Sequence, residues 1–404
     1  MAEQREDLTR LTAELTARLV AVDSINPSLV PGAAGEGPIA EVIAGLLRER
    51  GFVVALQEAA PGRPNVVGVL AGTGGPDAPL LMLNGHIDTV DVAAMPGDPF
   101  DPVDHDGRLY GRGAYDMKGG VAATLAAGAT LAARSGRLRG TLLVTCSADE
   151  EYASLGSEAL AAGLRDGTIP GVPRLPRQAA AILTEPTGEE VTIAHKGFAW
   201  LRVTTHGRAA HGSDYRNGVD AIATMGRVLT GLARLDAEYL PRTTHPLLGR
   251  PSVHASTIAG GRGLSTYPDV CTLEIERRTL PGETREGVAN ELAALLDEAG
   301  AGLPGFAATS ELFFWREPYE IAPDQPIVRA LVESLQAGRE PGWQPTYSGA
   351  SGWMDSAVFS TIGLPTAIYG PAGAGAHSAE EWVEVASLGR VTATLVATAE
   401  RYLA

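Results

Sequence analysis

The 404-residue sequence predicts an α/β protein in which helices flank a large mixed sheet and a smaller α+β domain is inserted into the larger one. Three observations lead to this prediction. Apolar, strand-like segments alternate with helical segments in the first half of the chain, which is typical of a sheet covered by helices. After residue 196 the order becomes strand, helix, strand, strand, helix and strand, the split-βαβ arrangement. The α/β alternation then resumes near the end of the chain.

The chain is long for one domain, which favours two domains. The larger domain is predicted to comprise residues 1–195 and 316–404. Apolar periodicity predicts helices at 5–22, 39–50, 119–133, 157–164 and 326–336 and a last helix ending at residue 404. It predicts strands at 52–57, 65–72, 79–85, 141–148, 179–184 and 365–370. The Gly-rich segment 72–78 is expected to be a hairpin turn rather than a phosphate-binding loop.

The inserted domain is predicted to comprise residues 196–315. Alternating apolar and polar residues predict strands at 198–207, 252–260, 269–280 and 306–315, and helices at 220–235 and 284–300. Such a sheet leaves outer edge strands, which favour pairing with another chain.

Composition excludes several classes of partner. Lys and Arg number 32 against 48 Asp and Glu, giving a net charge of −16, whereas a nucleic-acid partner would require a basic face. The sequence has no apolar run of about 18 residues, so no membrane span is predicted. The N-terminus lacks the basic start and apolar centre of a signal peptide, and we therefore predict a cytoplasmic protein.

Residues of the types that bind metal ions follow three of the apolar strands. Because binding crevices of open α/β sheets lie outside the carboxyl ends of the strands, these side chains are expected to converge. Two further candidates lie just before a helix and in a Gly-rich loop. In chain order, the candidates are His86, Asp88, Asp116, Glu150, Glu151, Glu185 and His377. Two histidines and three carboxylates suffice for two metal ions that share a bridging carboxylate.

Each candidate also has an ordinary structural interpretation. Asp116 could be a helix N-cap, and Glu185, which precedes Pro186, could lie in a solvated turn. The nearby "GRG" is too short for a dinucleotide-binding fingerprint because the third glycine is absent. These interpretations do not explain why three apolar strands each end in a metal-binding residue type at the same edge.

Eight motifs carry a resemblance to a known family. In order along the chain they are "LNGHIDTV", "GRGAYDMKGG", "SADEEYASLGS", "TEPTG", "HKG", "GRAAHGS", "ERRTLPGE" and "GAHSAEEW". Together they resemble the di-zinc family of aminoacylases, acetylornithine deacetylases, succinyl-diaminopimelate desuccinylases and glutamate carboxypeptidases. The resemblance covers nearly the whole chain and implies a homodimeric metal-dependent amidohydrolase whose inserted domain serves as lid and dimerisation domain.

The resemblance also implies a ligand set. His86 and Glu185 would bind one zinc ion, Glu151 and His377 would bind the other, and Asp116 would bridge the two. The implied cofactors are therefore two Zn²⁺ per chain, for which Co²⁺ or Mn²⁺ could substitute because carboxylate-rich sites are weakly selective. The family has a cis peptide bond after the bridging aspartate, so one is expected between Asp116 and Met117.

The adjacent glutamates are expected to have different roles. Neighbouring side chains of an extended segment point to opposite sides, so Glu151 can bind metal while Glu150 faces the attacking water. The resemblance implies that Glu150 is the general base and that Asp88 orients His86. Asp149, the third consecutive carboxylate, is expected to be a loop or cap residue.

The resemblance adds two candidates in the inserted domain. His211 would stabilise the oxyanion and would do so in the active site of the partner chain. Arg278 would grip a substrate carboxylate, a task suited to its planar fork. The alternative for Arg277 and Arg278 is pairing on the strand surface with Glu274 and Glu276, and only one of the two arginines can face the cleft.

Two positions depart from the family pattern. Ser265 stands where many members carry an asparagine that contacts the substrate, and Trp353 and Met354 stand where desuccinylases carry small hydroxyl residues. Both departures weaken the case for a succinylated substrate, and Trp353 would suit an apolar or aromatic group. The alternative role of Trp353 is packing against a helix.

The function predicted is hydrolysis of the amide bond of an N-acyl amino acid by activated water, with Glu150 as base. A carboxypeptidase or dipeptidase on the same fold remains an alternative, so the expected partner is a small N-acyl amino acid or a short peptide. A non-catalytic metal- or ligand-binding relative would not need Glu150. A nucleotide-binding α/β protein would need a complete phosphate loop, which this sequence lacks.

Overall fold

The structure is a computed structural model that describes residues 2–75, 77–134, 136, 138–337, 339–340 and 342–404. The chain divides into two compact units. The first comprises the described residues up to Ile193 together with Ile321–Ser348 and Met354–Ala404. The second comprises Ala194–Glu320 and Gly349–Trp353.

The helices and strands of the described residues are numbered along the chain. The helices are α1 (Ala2–Val20), α2 (Gly37–Arg48), α3 (Gly119–Ala132), α4 (Leu155–Asp166), α5 (Ala221–Arg234), α6 (Arg285–Gly300), α7 (Pro326–Ala337), α8 (Ser356–Ser360) and α9 (Val385–Tyr402). The strands are β1 (Val53–Ala60), β2 (Arg63–Leu70), β3 (Leu80–His86), β4 (Val103–His105), β5 (Arg108–Tyr110), β6 (Thr141–Ser147), β7 (Ala179–Leu183), β8 (Val191–His195), β9 (Gly197–His206), β10 (Ser252–Gly260), β11 (Val270–Thr279), β12 (Ala308–Arg316), β13 (Tyr319–Glu320), β14 (Tyr347–Ala350), β15 (Thr366–Ile368), β16 (Gly373–Ala374) and β17 (Trp382–Glu384). None of these described helices combines the length and apolar character that a bilayer span requires.

The main sheet of the first unit has the strand order β1-β2-β6-β3-β7-β15-β8. Strand β3 pairs in parallel with β6 and β7, whereas β2 pairs antiparallel with β1 and β6. This confirms the predicted mixed sheet. The predicted hairpin at 72–78 is wrong, because β6 lies between β2 and β3; Pro76 of that segment lies outside the described residues.

The parallel core of this sheet explains where the candidate residues lie. Strands β3 and β7 are buried along their whole length, and β6 is buried except at its first residue. Burial on both faces accounts for the continuous apolar runs of these strands. Because the three strands run in the same direction, the residues that follow them emerge at one edge of the sheet.

The second unit is a four-stranded antiparallel sheet with the order β10-β11-β9-β12. Along the chain, β9, α5, β10, β11, α6 and β12 follow one another as predicted. Side chains of β9 alternate between buried and half-buried, so one face of the sheet packs against the two helices. Asp220 caps α5 and Thr284 caps α6 through their side-chain oxygens, which explains where both helices begin.

A third, small sheet of the first unit was not predicted. Its order is β16-β17-β5-β4, and each strand has only two or three residues. Strand β17 pairs with β5, and the loop between β16 and β17 carries His377. The small sheet therefore holds that loop beside the segment that leads to Asp116.

Candidate metal centre

The five predicted ligands come together in two groups. His86, Asp116 and Glu185 form one group and Asp116, Glu151 and His377 form the other, with the ligand atoms of each group within 4.8 Å of one another. Asp116 belongs to both. Its Oδ1 lies 3.1 Å from His86 Nε2, and its Oδ2 lies 3.4 Å from His377 Nε2. One carboxylate thus faces both groups, and the peptide bond that follows it is cis, as the resemblance implies.

Two buried carboxylate oxygens in these groups have no hydrogen-bond donor. They are the Oε1 atoms of Glu151 and Glu185, which lack a partner among the described residues. Buried polar atoms are nearly always satisfied, and a bare buried carboxylate oxygen is costly. Imidazole nitrogens and carboxylate oxygens are donors that zinc accepts. The residues present therefore fit two divalent cations.

The pKa values of Glu185, His377 and His86 are all raised. Burial raises the pKa of Glu185 to about 8, with Asp116 adding to the effect and His86 opposing it. Hydrogen bonds to Asp116 and Glu151 raise the pKa of His377 to about 10. Burial opposes but does not prevent a raised pKa at His86, because Glu185 and Asp116 face it. Protons at these groups would occupy the place of cations in the metal-free chain, so metal binding here would release them.

Asp88 fixes the segment that carries the two glutamates. Its buried carboxylate accepts the backbone N–H groups of Glu150 at 3.0 Å and of Glu151 at 3.1 Å, and the Asn26 Nδ2 at 2.8 Å. The carbonyl oxygen of Asp88 lies 3.0 Å from His86 Nδ1, closer than its carboxylate at 3.6 Å. Asp88 therefore links the end of β3 to the end of β6.

Asp149 lies in the loop that follows β6, as predicted, and its buried side chain forms an ion pair. Its Oδ1 lies 2.8 Å from Arg63 Nη1 and accepts a hydrogen bond from Asn26. Arg63 also donates from Nε to Glu36 at 2.8 Å. Sequence reasoning missed Asn26, Glu36 and Arg63, because they lie far along the chain from the acidic segment and match no ligand spacing.

Glu150 and Glu151 occupy different positions. Glu151 Oε2 lies 2.9 Å from His377 Nε2, within the second ligand group. Glu150 belongs to neither group, and its Oε2 lies 3.9 Å from His86 Nε2. Burial raises the pKa of Glu150 well above 4.5, although His86 opposes the shift. The two side chains therefore lie apart, but the predicted extended segment is wrong: residues 150–153 form a turn in which the Ala153 N–H donates to the Asp149 carbonyl at 3.1 Å.

The loops of His211 and Ser265 lie side by side in the second unit. His211 forms an isolated bridge with Thr266, and the carbonyl of Ser265 accepts the Gly212 N–H at 2.7 Å. The Nδ1 of His211 lies 2.8 Å from Ser213 Oγ. Ser265 itself is exposed.

Arg277 and Arg278 lie on opposite faces of the sheet of the second unit. Arg277 is 1% exposed and is bound by Glu283 and Glu291. Arg278 is 32% exposed, pairs with Glu276 at 2.7 Å, and lies over the ring of Phe198 at 5.2 Å. Arg278 is therefore the one on the open face of the sheet.

Trp353 contacts strand and loop residues of the second unit. Its Nε1 donates to the carbonyl of Glu317 at 3.0 Å, and its ring meets that of Phe198 edge-on at 6.2 Å. The guanidinium of Arg316 lies 5.5 Å from the ring centroid. Trp353 is thus part of an aromatic and cationic cluster that also borders Arg278.

Comparison with known proteins identifies the family. Residues 82–401 match the model of peptidase family M20/M25/M40. The N-formyl-4-amino-5-aminomethyl-2-methylpyrimidine deformylase of Bacillus subtilis is 28% identical, covering 96% of this chain and 92% of the relative. The acetylornithine deacetylase of Pectobacterium atrosepticum is 30% identical over 92% of this chain and 93% of the relative.

Solved structures of low sequence identity share the fold. The aminopeptidase PepT of Bacillus cereus has a TM-score of 0.76 at 19% identity, with 98% of both chains covered. The YXEP protein of Bacillus subtilis, a dinuclear metal-binding peptidase of the M20 family, has a TM-score of 0.72 at 17% identity and covers 98% of this chain and 99% of its own. The predicted fold class is thereby confirmed.

The fold and the family match together define a metal-dependent hydrolase of amide bonds. The chain belongs to peptidase family M20/M25/M40, whose model covers most of it. The resemblance stated from the eight motifs is therefore confirmed.

Proposed function

We propose that this protein is a di-zinc deacylase that hydrolyses the amide bond of an N-acyl amino acid. The observation that carries the proposal is the pair of ligand groups that share Asp116. These groups include two buried carboxylate oxygens for which the described part of the chain offers no hydrogen-bond donor. The YXEP protein, which has the same fold, is a dinuclear metal-binding peptidase. The two relatives are by name a deformylase and a deacetylase, which favours removal of an acyl group.

Each residue of the two groups has a proposed role. His86 and Glu185 would hold one ion, Glu151 and His377 the other, and Asp116 would contact both. Zinc ions there would supply Lewis acidity toward the amide carbonyl and toward water. Asp88 holds His86 and the backbone of Glu150 and Glu151 in position through the hydrogen bonds described above.

Glu150 is the proposed general base. Its side chain is 11% exposed and belongs to neither ligand group, and its backbone is fixed by Asp88. Its carboxylate would take a proton from the attacking water and then deliver it to the leaving amine nitrogen. The amine leaves as a neutral group, and Glu150 returns to its starting charge.

The second unit would recognise the substrate. We propose that Arg278 pairs with the substrate carboxylate and that Trp353 and Ser265 border the group attached to it. His211 would donate to the developing oxyanion.

We further propose a homodimer through the second unit, with His211 acting in the partner's site. The exposed outer strand β10 of the sheet supports such pairing. A cytoplasmic location remains a prediction.

The test is a substrate panel assayed with the chelated chain and after reloading with Zn²⁺ or Co²⁺. We expect N-formyl and N-acetyl amino acids to be cleaved only after metal is restored, and metal-loaded Glu150→Gln to serve as the inactive control. Faster cleavage of dipeptides would establish the peptidase alternative instead. Absence of any hydrolysis by the loaded wild-type chain would leave only the binding-protein alternative.

A further inference from the structure

A buried carboxylate outside the ligand set organises the segment that leads to Asp116. Glu381 is 1% exposed and accepts four N–H donors. Its Oε1 accepts the backbone N–H groups of Tyr115 at 3.0 Å and Asp116 at 2.9 Å. Its Oε2 accepts the backbone N–H of Gly113 at 3.0 Å and Arg112 Nη1 at 2.7 Å. One side chain thus holds three backbone N–H groups of residues 113–116 and the guanidinium of Arg112.

Arg112 extends this contact to the loop of His377. It is 3% exposed and donates from Nη2 to the carbonyl oxygen of Ser378 at 3.1 Å, immediately after His377. It also donates from Nε to the carbonyl oxygen of Asp91 at 3.0 Å. The Arg112–Glu381 ion pair therefore joins the segment of the bridging aspartate to the loop of the second histidine.

The loop of His377 needs such support more than the other ligands do. The side chain of His377 is 55% exposed, and its backbone has a φ of 60°. Gly375 has a φ of 88°, and a Cβ there would lie 1.8 Å from the carbonyl oxygen of Glu380, so the turn is tightly closed. By contrast, His86 is the last residue of β3, and Glu185 lies two residues beyond the end of β7, so the main sheet positions both.

We infer that Glu381, through Arg112, is a positioning residue for the ion held by Asp116, Glu151 and His377. The inference rests on the proposed di-metal function. Loss of the Glu381 carboxylate would release the Asp116 backbone and the Ser378 contact together, and it would leave the sheet-borne His86 and Glu185 in place. The expected effect is a 10- to 100-fold loss of affinity, roughly that of removing an outer-shell partner, at one of the two sites.

The test compares Glu381→Gln with wild type in the full-length chain. Both are chelated and then titrated with Co²⁺, and the visible absorption of the bound ion is followed. Wild type is expected to bind two ions. Glu381→Gln is expected to bind the ion at His377 10- to 100-fold more weakly, with an altered spectrum, and the ion at His86 and Glu185 with a clearly smaller loss, because the two sites share only Asp116. Glu189→Gln, which weakens the ion pair with Arg390 in the same unit, is the matched control and should bind both ions normally.

A second measurement separates positioning from a general loss of fold. Amide hydrogen exchange of the metal-free chain should be faster in Glu381→Gln over residues 111–118 and unchanged in β3 and β7. Arg112→Lys, which keeps the charge but loses the fork, should reproduce the selective loss of one ion.

Three outcomes would overturn the inference. Two tightly bound ions in Glu381→Gln would remove the positioning role, as would equal weakening of both ions. Fewer than two ions in wild type would contradict the metal centre itself and this role with it. The wild-type titration therefore distinguishes failure of the proposed function from failure of the inference alone.

Discussion

Replacing Glu150 by glutamine is expected to abolish turnover and leave both metal ions in place. The side chain of Glu150 lies outside both ligand groups, 3.9 Å from His86 Nε2. The hydrogen bond from its backbone N–H to Asp88 does not involve the side chain and should persist. Since glutamine matches glutamate in shape, the change removes the proton acceptor without creating a cavity.

The magnitude follows from the role of a positioned base. Such a group contributes roughly 10²–10⁴-fold to rate, or about 2.7–5.4 kcal/mol in activation free energy. Glu151→Gln should behave differently, because Glu151 Oε2 lies 2.9 Å from His377 and its Oε1 is buried without a donor. That variant should lose both activity and one metal ion.

The assay measures kcat, KM and metal content of both variants on the best N-acyl amino acid. Glu41→Gln, on the exposed face of α2, is the control and should match wild type in all three. Equal metal loss in the Glu150 and Glu151 variants would refute the division of roles. So would a Glu150 variant that retains more than about a tenth of the wild-type kcat, since a base contributes at least about 10²-fold.

Three further predictions concern substrate, assembly and pH. Arg278→Ala should raise KM about 10- to 100-fold for substrates with a free carboxylate, because it removes a hydrogen bond between charged groups. Arg202→Ala, on the same sheet, is the control and should leave KM unchanged. Equal KM values for free and amidated substrates would contradict the carboxylate contact. Glu150→Ala and His211→Ala chains, unfolded and refolded together, should regain activity through one complete site per mixed dimer, and a mixture as inactive as its parents would contradict His211 acting across the dimer. Because burial raises the pKa of Glu185 from 4.5 to about 8, its contribution to the stability of the metal-free chain is full below about 4.5 and is lost as pH rises to about 8. The increase in thermal midpoint caused by zinc should therefore grow across that window, and an increase that is independent of pH would contradict this account.

The sequence predicted the parts of the fold that local patterns encode. Strands β3, β6 and β7 are buried on both faces, so their apolar runs stand out in the sequence. The alternation of β9 reflects one buried face, which the sequence also shows. The hairpin error has a physical cause, because the pairing of β2 with β6 is a long-range choice that a Gly-rich linker does not reveal.

The small sheet that holds the His377 loop was missed for a different reason. Its strands are two or three residues long, too short for any periodicity to show. The residues that fix the ligands were missed because they act on backbone groups. Arg63 and Arg112 look like ordinary arginines in the sequence, and only the folded chain brings them to Asp149 and Ser378. Glu381 lies inside the "GAHSAEEW" motif, so the motif contained the signal without showing its role.

The three consecutive carboxylates after β6 show how such a site can be both buried and stable. Asp149 is compensated within the protein by Arg63, so its charge needs no metal. Glu151 is compensated by the protonated His377 in the metal-free chain, since the pKa of His377 is raised to about 10. Burial raises the pKa of Glu150 well above 4.5 and so favours its protonated form in the metal-free chain. The strand can therefore end in three acids because Asp149 is paired with Arg63, Glu151 lies beside a protonated histidine whose proton a cation would replace, and Glu150, the proposed base, is protonated until cations enter the site.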